Sequence, residues 1–265
     1  MLVCDTHIHS YRSFVGDRNM TFSNIADKSA ELGINVAAVT DHLMKPEDVE
    51  DLKITRGDIL NSRVKGYKPC ILFGVEVCEV AADGSTLLDK KLAKEMCFEV
   101  VIGGIHETHM PCGASLGNMA VMQHRHHLIM MENPLIDILV HPWWLDKSEF
   151  ERLCIEWPMD MSFIPEALTV ELAKASRRTN TYIEISTMSG LCNKDTSPKF
   201  KQDLLEYYRL LNREGALFAI GTDTHELSEM STFSTASDLI KAIGISEDRM
   251  WQPKSNIIRI GGNEK

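Results

Sequence analysis

Histidine and acidic residues recur at short spacing in this chain, and the first group lies near its start. The segment DTHIHS, residues 5–10, places His7 and His9 one residue apart. Alternate residues of a strand point to the same side, so the two rings could hold one metal ion or simply cover a shared surface. The pair alone is a weak signal, and its meaning depends on ligands elsewhere in the sequence.

Similar residues follow five later apolar segments. They occur in the stretches Thr40-Asp41-His42, Gly74-Val75-Glu76, Gly103-Gly104-Ile105-His106, Leu139-Val140-His141 and Gly221-Thr222-Asp223-Thr224-His225. Together with the first pair, these stretches contain six of the ten histidines. A single histidine after a strand usually caps a loop or bonds to a carbonyl, but six placements of the same kind are hard to explain in this way.

Nitrogen and oxygen ligands without cysteine are typical of catalytic sites for Zn²⁺, Mn²⁺ or Fe²⁺. Grouping neutral imidazoles and carboxylates in one cavity is costly unless a cation joins them. The six histidines, one glutamate and one aspartate are too many for a single ion and suit two or three. The sequence therefore predicts two or three divalent metal ions as cofactors.

Seven short apolar segments rich in β-branched residues precede or adjoin these groups. They cover residues 2–4, 34–39, 71–75, 100–105, 136–140, 182–185 and 217–220. Near-continuous apolar runs are typical of strands buried on both faces. Helical patterns lie between them: one begins at Phe22 and stops at Gly33, and another begins at Ser197-Pro198, a cap followed by a first-turn proline.

The alternation of strand and helix predicts a parallel sheet. An open doubly wound sheet fits the alternation as well. In a closed barrel, however, the carboxyl ends of the strands meet at one mouth, where the catalytic residues of such folds lie. The positions of the ligand residues therefore favour an α/β barrel, and the absence of a linker or a composition break predicts one domain over residues 1–265.

The net charge of −10 argues against binding to long nucleic acids or acidic membranes, which require a basic surface. The seven cysteines form no C-x-x-C pair. The sequence shows no signal peptide and no apolar run of the roughly 18 residues that a membrane helix needs. We expect a soluble, cytoplasmic protein with reduced, mostly buried thiols.

The ordered motifs resemble those of a known family. H-x-H, T-D-H, G-x-E, G-x-x-H, H-P and G-T-D-x-H follow the order of the polymerase and histidinol phosphatase (PHP) family of metal-dependent phosphoesterases, over nearly the whole chain. The resemblance implies a distorted (β/α)7 TIM-like barrel, usually with three metal ions. By matching motif, it assigns His7, His9, Glu76 and Asp223 to the first metal, Glu76, His106 and His141 to the second, and His42 and His225 to the third.

One position departs from the family pattern. The family commonly has a third histidine or aspartate shortly after H-x-H, where this sequence holds Phe14 or Val15. Counting backwards from the T-D-H motif instead places this position at Asp17. Asp17 is therefore a candidate ligand of the third metal, and an ordinary loop residue is the alternative.

The resemblance implies hydrolysis of a small phosphate monoester, for which bound ions would lower the pKa of a bridging water towards 7. Asp223 or His225 would handle the proton of the leaving group. Phosphate oxygens that no metal holds need cationic side chains. The candidates for binding the substrate are Arg12, Arg18, Lys45 and Lys194, chosen for their positions beside the motifs.

Two alternatives remain open. A metal-dependent amidohydrolase also begins a barrel with H-x-H, but such enzymes often end the fourth strand with a bridging lysine, where this chain has His106. A non-catalytic, metal-stabilised PHP module typically loses ligands, whereas this chain has a nearly full set. Both observations favour the phosphoesterase.

Two further features lie outside the ligand set. His124, His126 and His127 fall within a probable helix, where consecutive positions point to different faces, so we expect a solvated helix surface there. Glu184 lies within the sixth strand, and we expect it to face inward behind the ligands.

Overall fold

A computed structural model describes residues 3–64, 69–143 and 145–254 of the chain. The strands in this part are β1 (Cys4–Ile8), β2 (Val36–Val39), β3 (His42–Leu43), β4 (Cys70–Cys78), β5 (Val100–Gly104), β6 (Ile138–Leu139), β7 (Tyr182–Ser186) and β8 (Phe218–Gly221). The main strands are parallel and follow the order β1-β2-β4-β5-β6-β7-β8, and the short β3 pairs with β4. The pairing therefore follows chain order around the sheet.

The two edges of this sheet meet. A parallel bridge joins Ile8 to Thr224, and the backbone N–H of Asp223 donates to the carbonyl oxygen of His7 at 2.9 Å. Thr222 donates to Asp5 through its backbone N–H at 3.1 Å and through its hydroxyl at 2.8 Å. The result is a nearly closed barrel of seven parallel strands, which confirms the predicted fold class.

Helices surround the barrel. They are α1 (Phe22–Glu31), α2 (Asp48–Val64), α3 (Lys90–Met96), α4 (Leu116–Glu132), α5 (Lys147–Leu153), α6 (Glu166–Thr179), α7 (Pro198–Arg213) and α8 (Phe233–Ile243). The predicted starts of α1 and α7 are confirmed. In α7, Ser197 caps the first turn because its side chain accepts a hydrogen bond from the N–H of Phe200. No described helix has the length and apolar character that crossing a bilayer requires.

The interior of the barrel is apolar in its lower part, which is the end where the strands begin. The buried cluster there consists of Cys4, Val36, Ala38, Leu72, Val100, Ile102, Ile138, Val140, Ala219 and Trp251. Trp251 donates its N–H to the carbonyl of Phe218, the first residue of β8, and so lies at the amino-terminal end of the strands. The histidine and acidic residues of the motifs lie towards the opposite end, where the strands finish.

The first strand includes part of the motif that we expected to follow it. Residues 1 and 2 lie outside the described residues, and β1 runs from Cys4 to Ile8, so that His7 belongs to the strand. Asp5 tolerates burial here because its carboxylate accepts hydrogen bonds from Thr222 and from the N–H of His7. Hydrophobicity alone does not reveal the full length of a strand whose buried polar residues are hydrogen-bonded to a segment distant in sequence.

The expectation of reduced, mostly buried cysteines is wrong: two of the seven form a disulfide, and only Cys4 and Cys78 are buried. Cys112, in the loop after β5, and Cys154, after the end of α5, form a disulfide with a Cα–Cα distance of 5.4 Å. The N–H of Gly113 also donates to the carbonyl of Leu153 at 2.8 Å, so the backbone holds the two segments side by side. The sequence separation of 42 residues gave no sign of this proximity.

The three histidines of α4 are buried, which corrects the prediction of a solvated helix surface. His124, His126 and His127 are 5%, 0% and 1% exposed. The helix is covered on several sides at once: His124 contacts α6, and His126 contacts the loop after β4. Tertiary packing on several faces of the helix, rather than its own residue pattern, decided the burial.

Candidate metal centre

Glu76 lies at the centre of the barrel mouth, and its side chain is fully buried. The nearest ring nitrogens belong to five histidines. Its Oε2 atom lies 3.3 Å from the Nε2 of His7, 3.4 Å from that of His9 and 3.0 Å from that of His42. Its Oε1 atom lies 3.3 Å from the Nε2 of His106 and 2.9 Å from that of His141. Each carboxylate oxygen therefore faces a separate set of nitrogens.

Asp223 is the second carboxylate at the mouth. Its Oδ1 atom lies 3.4 Å from the Nε2 of both His7 and His9, and 3.8 Å from the Nε2 of His225. Four groups have potential ligand atoms within 4.8 Å of one another: His7, His9 and Glu76; Glu76, His106 and His141; His9, Asp223 and His225; and His42, Cys78 and His106. The groups share members, as a centre with several ions would require.

One group contains three of the four residues assigned to the first metal, and another contains the three assigned to the second; the assignment to separate ions stays a prediction. The structure places His42 and His225 differently: His42 joins Cys78 and His106, whereas His225 joins His9 and Asp223. The rings of both residues stack on His9, at centroid distances of 4.4 and 4.7 Å. The proposal that His42 and His225 bind one common third ion therefore stays a prediction.

The hydrogen bonds around His7 indicate that a cation fits this centre. The Nδ1 atom of His7 lies 2.8 Å from Glu184 Oε1, a partner that can only accept when ionised. With its proton on Nδ1, a neutral His7 ring directs the lone pair of Nε2 towards the oxygens of Glu76 and Asp223. Acceptors that converge in a buried space repel one another unless a positive charge lies between them.

The pKa values follow the same logic. Burial alone would raise the pKa of Glu76, but the charges of His42, His7 and His106 hold it well below its ordinary value. Burial would lower the pKa of His7, but Glu76, Glu184 and Asp223 raise it well above its usual range. The centre therefore attracts positive charge, as protons or as metal ions.

Glu184 holds two of the ligands in place, which is the inward-facing role that we expected of it. Besides the bond to His7, its Oε2 atom accepts a hydrogen bond from the backbone N–H of His141 at 2.7 Å. Such a partner fixes the tautomer and the orientation of a ligating ring. One carboxylate behind the centre thus positions ligands from two different strands.

Two glycines allow the ligands to approach the barrel wall. A Cβ atom on Gly104 would lie 2.6 Å from Cε1 of His141 and 2.9 Å from Oε1 of Glu76. A Cβ on Gly221 would lie 2.8 Å from the Cβ of His7 and even closer to Oε1 of Glu184. Gly104, the second residue of the G-x-x-H motif, and Gly221, the first of G-T-D-x-H, are therefore needed for space.

Three of the seven described non-glycine residues with positive φ angles lie at or beside the centre. His141 and Asp223 have φ angles of 30° and 55°, and Trp143 has 64°. Left-handed conformations cost non-glycine residues of order 1–3 kcal/mol and persist only where the surroundings enforce them. Two of these three residues are candidate ligands, which is the distribution expected of a functional site.

The residues after β7 form a π-helix, Thr187–Leu191, which sequence patterns did not reveal. Its Ser189 hydroxyl donates to Oδ2 of Asp223, while the N–H of Met188 donates to the carbonyl of Thr222 at 3.2 Å. Single π-turns are frequent at functional sites. Ser189 leaves Oδ1 of Asp223 as the oxygen directed at the histidines.

Asp17 and the basic candidates lie on loops around the mouth. The backbone N–H of Asp17 donates to the carbonyl of His225 at 2.9 Å, and its side chain accepts from the N–H of Asn19 at 2.8 Å. Arg12 makes two hydrogen bonds to Asp58, at 3.1 and 2.7 Å. Arg18, Lys45 and Lys194 are exposed. The ligand role of Asp17 and the substrate-binding role of the four basic residues stay predictions.

Known proteins of similar sequence are named as phosphatases. No family model matches the chain. A "probable phosphatase" of Clostridium botulinum is 24% identical over 255 residues, covering 96% of this chain and 91% of that protein. A "probable phosphatase" of Syntrophotalea carbinolica is 25% identical over 259 residues, covering 93% and 90%. These proteins align with the chain along nearly its whole length.

Solved structures give the architecture. The histidinol phosphate phosphatase of Lactococcus lactis, solved with zinc, L-histidinol and phosphate, superposes with a TM-score of 0.59 at 16% identity, over 97% of this chain and 98% of the other. A putative histidinol phosphatase of Listeria monocytogenes gives 0.64 at 13% identity, over 88% and 99%. The chain has the PHP-type barrel. The predicted resemblance is thereby confirmed for the fold, and the candidate ligands lie at the mouth of this barrel.

Proposed function

We propose that this protein is a metal-dependent phosphoesterase that hydrolyses a small phosphate monoester. The observation that carries the proposal is the buried Glu76 carboxylate, which has five histidine Nε2 atoms at 2.9 to 3.4 Å from its two oxygens. Carboxylate and imidazole ligands at a barrel mouth are typical of catalytic divalent ions such as zinc, manganese or iron. The names of the relatives support phosphate ester hydrolysis.

When bound, two or three such ions supply Lewis acidity and an activated water for attack on phosphorus. Most residues at the mouth would hold these ions, namely His7, His9, His42, Glu76, His106, His141, Asp223 and His225. Glu184 keeps the proton on Nδ1 of His7, and Ser189 orients Asp223. The protein thus fixes the ligands before the substrate arrives, as electrostatic preorganisation requires.

The outer side of the centre is suited to a proton transfer. The side chain of His225 is 34% exposed and lies beside Asp223, which is 13% exposed, whereas Glu76 and His7 are inaccessible. A leaving-group oxygen at the mouth would meet these two residues first. We therefore assign proton delivery to His225 or Asp223.

The substrate would be small because the mouth is built from loops around one barrel. The net charge of −10 disfavours long nucleic acids. Arg12, Arg18, Lys45 and Lys194 are the candidates for contacts with phosphate oxygens. Arg12 would have to exchange its bonds to Asp58 for the substrate, so its contribution would depend on a movement of the loop after β1.

The test measures metal content and activity on the same purified protein. We expect two or three equivalents of zinc, manganese or iron and steady hydrolysis of some member of a panel of phosphate monoesters, histidinol phosphate included. The control is the nearly isosteric Glu76→Gln variant, purified in the same way. Activity that is equal in both preparations comes from contaminating proteins. A fully metal-loaded protein that is inactive across the panel would refute the phosphoesterase, while leaving the metal centre intact.

A further inference from the structure

Cys78 lies inside the candidate metal centre, although the ligands predicted from the sequence were nitrogen and oxygen atoms only. It ends β4 two residues after Glu76, on the same face of the strand, and it is fully buried. Its Sγ atom and one ring nitrogen each of His42 and His106 lie within 4.8 Å of one another. A spacing of two along the strand brings the thiol to the same mouth as the carboxylate.

Strand pairing explains this arrangement. His42 lies opposite Glu76 in the pairing of β3 with β4, and Cys78 lies opposite Gly104 in the pairing of β4 with β5. His106 follows Gly104 by two residues, and a nitrogen of its ring lies within 4.8 Å of the Cys78 Sγ atom. Three neighbouring strands therefore deliver one sulfur and two imidazoles to a single point.

Glu76 provides a fourth donor for this group. Its Oε2 lies 3.0 Å from the Nε2 of His42, and its Oε1 lies 3.3 Å from the Nε2 of His106. One thiolate, two imidazoles and one carboxylate would give four ligands, the number that zinc takes in tetrahedral sites. A protein sulfur that coordinates a divalent ion does so without its proton.

We propose that Cys78 is a sulfur ligand of the metal centre, in a group with His42 and His106 that Glu76 completes. The proposal rests on the metal centre of the proposed function and narrows the choice of metal. Sulfur ligands select zinc and iron over manganese, which prefers oxygen. The alternative is that the thiol only packs beside the His42 and His106 rings.

Cys70 offers a matched control on the same strand. It begins β4, at the opposite end from Cys78, and packs against the apolar cluster in the lower part of the barrel. Among the residues that the structure describes, it belongs to none of the groups of potential ligands. The Cys70→Ser variant therefore removes a β4 thiol without touching the centre.

Cobalt(II) separates the two roles of Cys78 because a cobalt–thiolate bond gives a near-ultraviolet charge-transfer band. The experiment loads cobalt into the wild-type protein, Cys78→Ser and Cys70→Ser. We expect the band in the wild type and in Cys70→Ser and its loss in Cys78→Ser, which should keep visible cobalt bands from its remaining ligands. In Cys78→Ser, the affinity for zinc relative to manganese should also fall by at least about tenfold. Loss of a residue that only supports a metal ligand already costs this much affinity.

The outcomes distinguish this proposal from the one on which it rests. Visible cobalt bands without a thiolate band in the wild type, or a thiolate band that survives in Cys78→Ser, overturn the sulfur ligand alone. Failure of the wild type to bind cobalt or zinc overturns the metal centre and this proposal with it. Circular dichroism of Cys78→Ser and of Cys78→Ala shows that the compared variants are folded.

Discussion

The metal centre and the middle of α4 both contain several buried histidines, yet their rings are arranged in opposite ways. At the centre, five histidines from four strand ends direct their Nε2 atoms to the single carboxylate of Glu76. The α4 histidines are neighbours in sequence, but each ring has a partner of its own. These partners are Glu171 for His124, the carbonyl of Ala82 for His126 and the N–H of Trp143 for His127.

Burial and clustering of histidines alone therefore do not distinguish a metal site from an ordinary packed interior. Consecutive residues of a helix diverge, so a short run of histidines spreads its nitrogens over several surfaces. Parallel strands that end at one mouth do the reverse and gather residues that are distant in sequence. Convergence of lone pairs, rather than the number of histidines nearby, makes a site for a cation.

The charges of the two regions differ in the same sense. Carboxylates around His7 raise its pKa well above the ordinary value. Burial lowers the pKa of His127 well below that value, and His124, His126 and His141 lower it further. The metal centre therefore requires positive charge, whereas the interior beneath α4 excludes it.

The largest expected effect follows from Glu76→Gln. The substitution keeps the size of the side chain but removes the negative charge that five histidines face, so both the first and the second ion should be displaced or loosened. Because changes to mere supporting partners of a metal site cost 10–100-fold, we expect a loss of activity greater than about 100-fold. Metal analysis and kcat measure the effect.

His127→Gln is the counterpart in α4, where we expect unchanged metal content and activity within about twofold, since even the supporting partners of a metal site cost more than this. His106→Ala should mainly remove the second ion. If Glu76→Gln keeps all its metal and more than about a tenth of the activity, Glu76 is not a bridge.

His7→Ala and His9→Ala come next. Each should lose at least one ion and abolish turnover, and the melting temperature should fall because ions that bind only the folded state stabilise it. His124→Ala, from the other cluster, should change stability without changing metal stoichiometry. Unchanged stoichiometry in both His7 and His9 variants would refute their role as ligands.

Gly221→Ala and Gly117→Ala compare the space in the two regions. A methyl group at Gly221 would clash with His7 and Glu184, whereas one at Gly117 in α4 would meet nothing within 4 Å. We expect Gly221→Ala to cost about 1–3 kcal/mol or more through overpacking and to weaken metal binding.

Gly117→Ala should be neutral or stabilise the protein by up to about 1 kcal/mol. Denaturant unfolding of both variants measures these effects. Equal unfolding free energies for the two variants would contradict the close packing behind His7.

The smallest effect concerns pH. His127 resists protonation when folded, whereas an unfolded histidine titrates near 6.5. Below this value the unfolded state binds the additional proton, so folding stability should fall with decreasing pH, by up to about 1.4 kcal/mol per pH unit for this group.

His127→Gln should flatten this decline between about pH 6.5 and 5, a window set by the unfolded pKa. Unfolding curves of the metal-free proteins at several pH values test it. A wild type and a variant whose stabilities decline in parallel would show that His127 is already protonated in the folded protein.

The strands and the candidate ligands were predictable because six of the seven apolar runs are followed by a candidate ligand. The continuation of β1 beyond Cys4 to Ile8 was not, because Asp5 is polar and becomes compatible with burial only through Thr222, more than 200 residues away. The burial of the α4 histidines depends on partners from three other segments. Cys78 could have been predicted as a candidate ligand, because its spacing of two from Glu76 on a strand places both residues on one face.

The bond that joins Thr222 to Asp5 spans 217 residues, and it lies at the seam where β8 meets β1. His7 and His9 stand on one side of this seam and Asp223 on the other. Contacts of such high sequence separation form late in folding, because the chain entropy of closing the loop must be overcome first. The first ion can therefore bind its full set of ligands only after the barrel has closed. Metal uptake during refolding would report the last step of folding, and added metal would slow unfolding more than it accelerates the initial collapse.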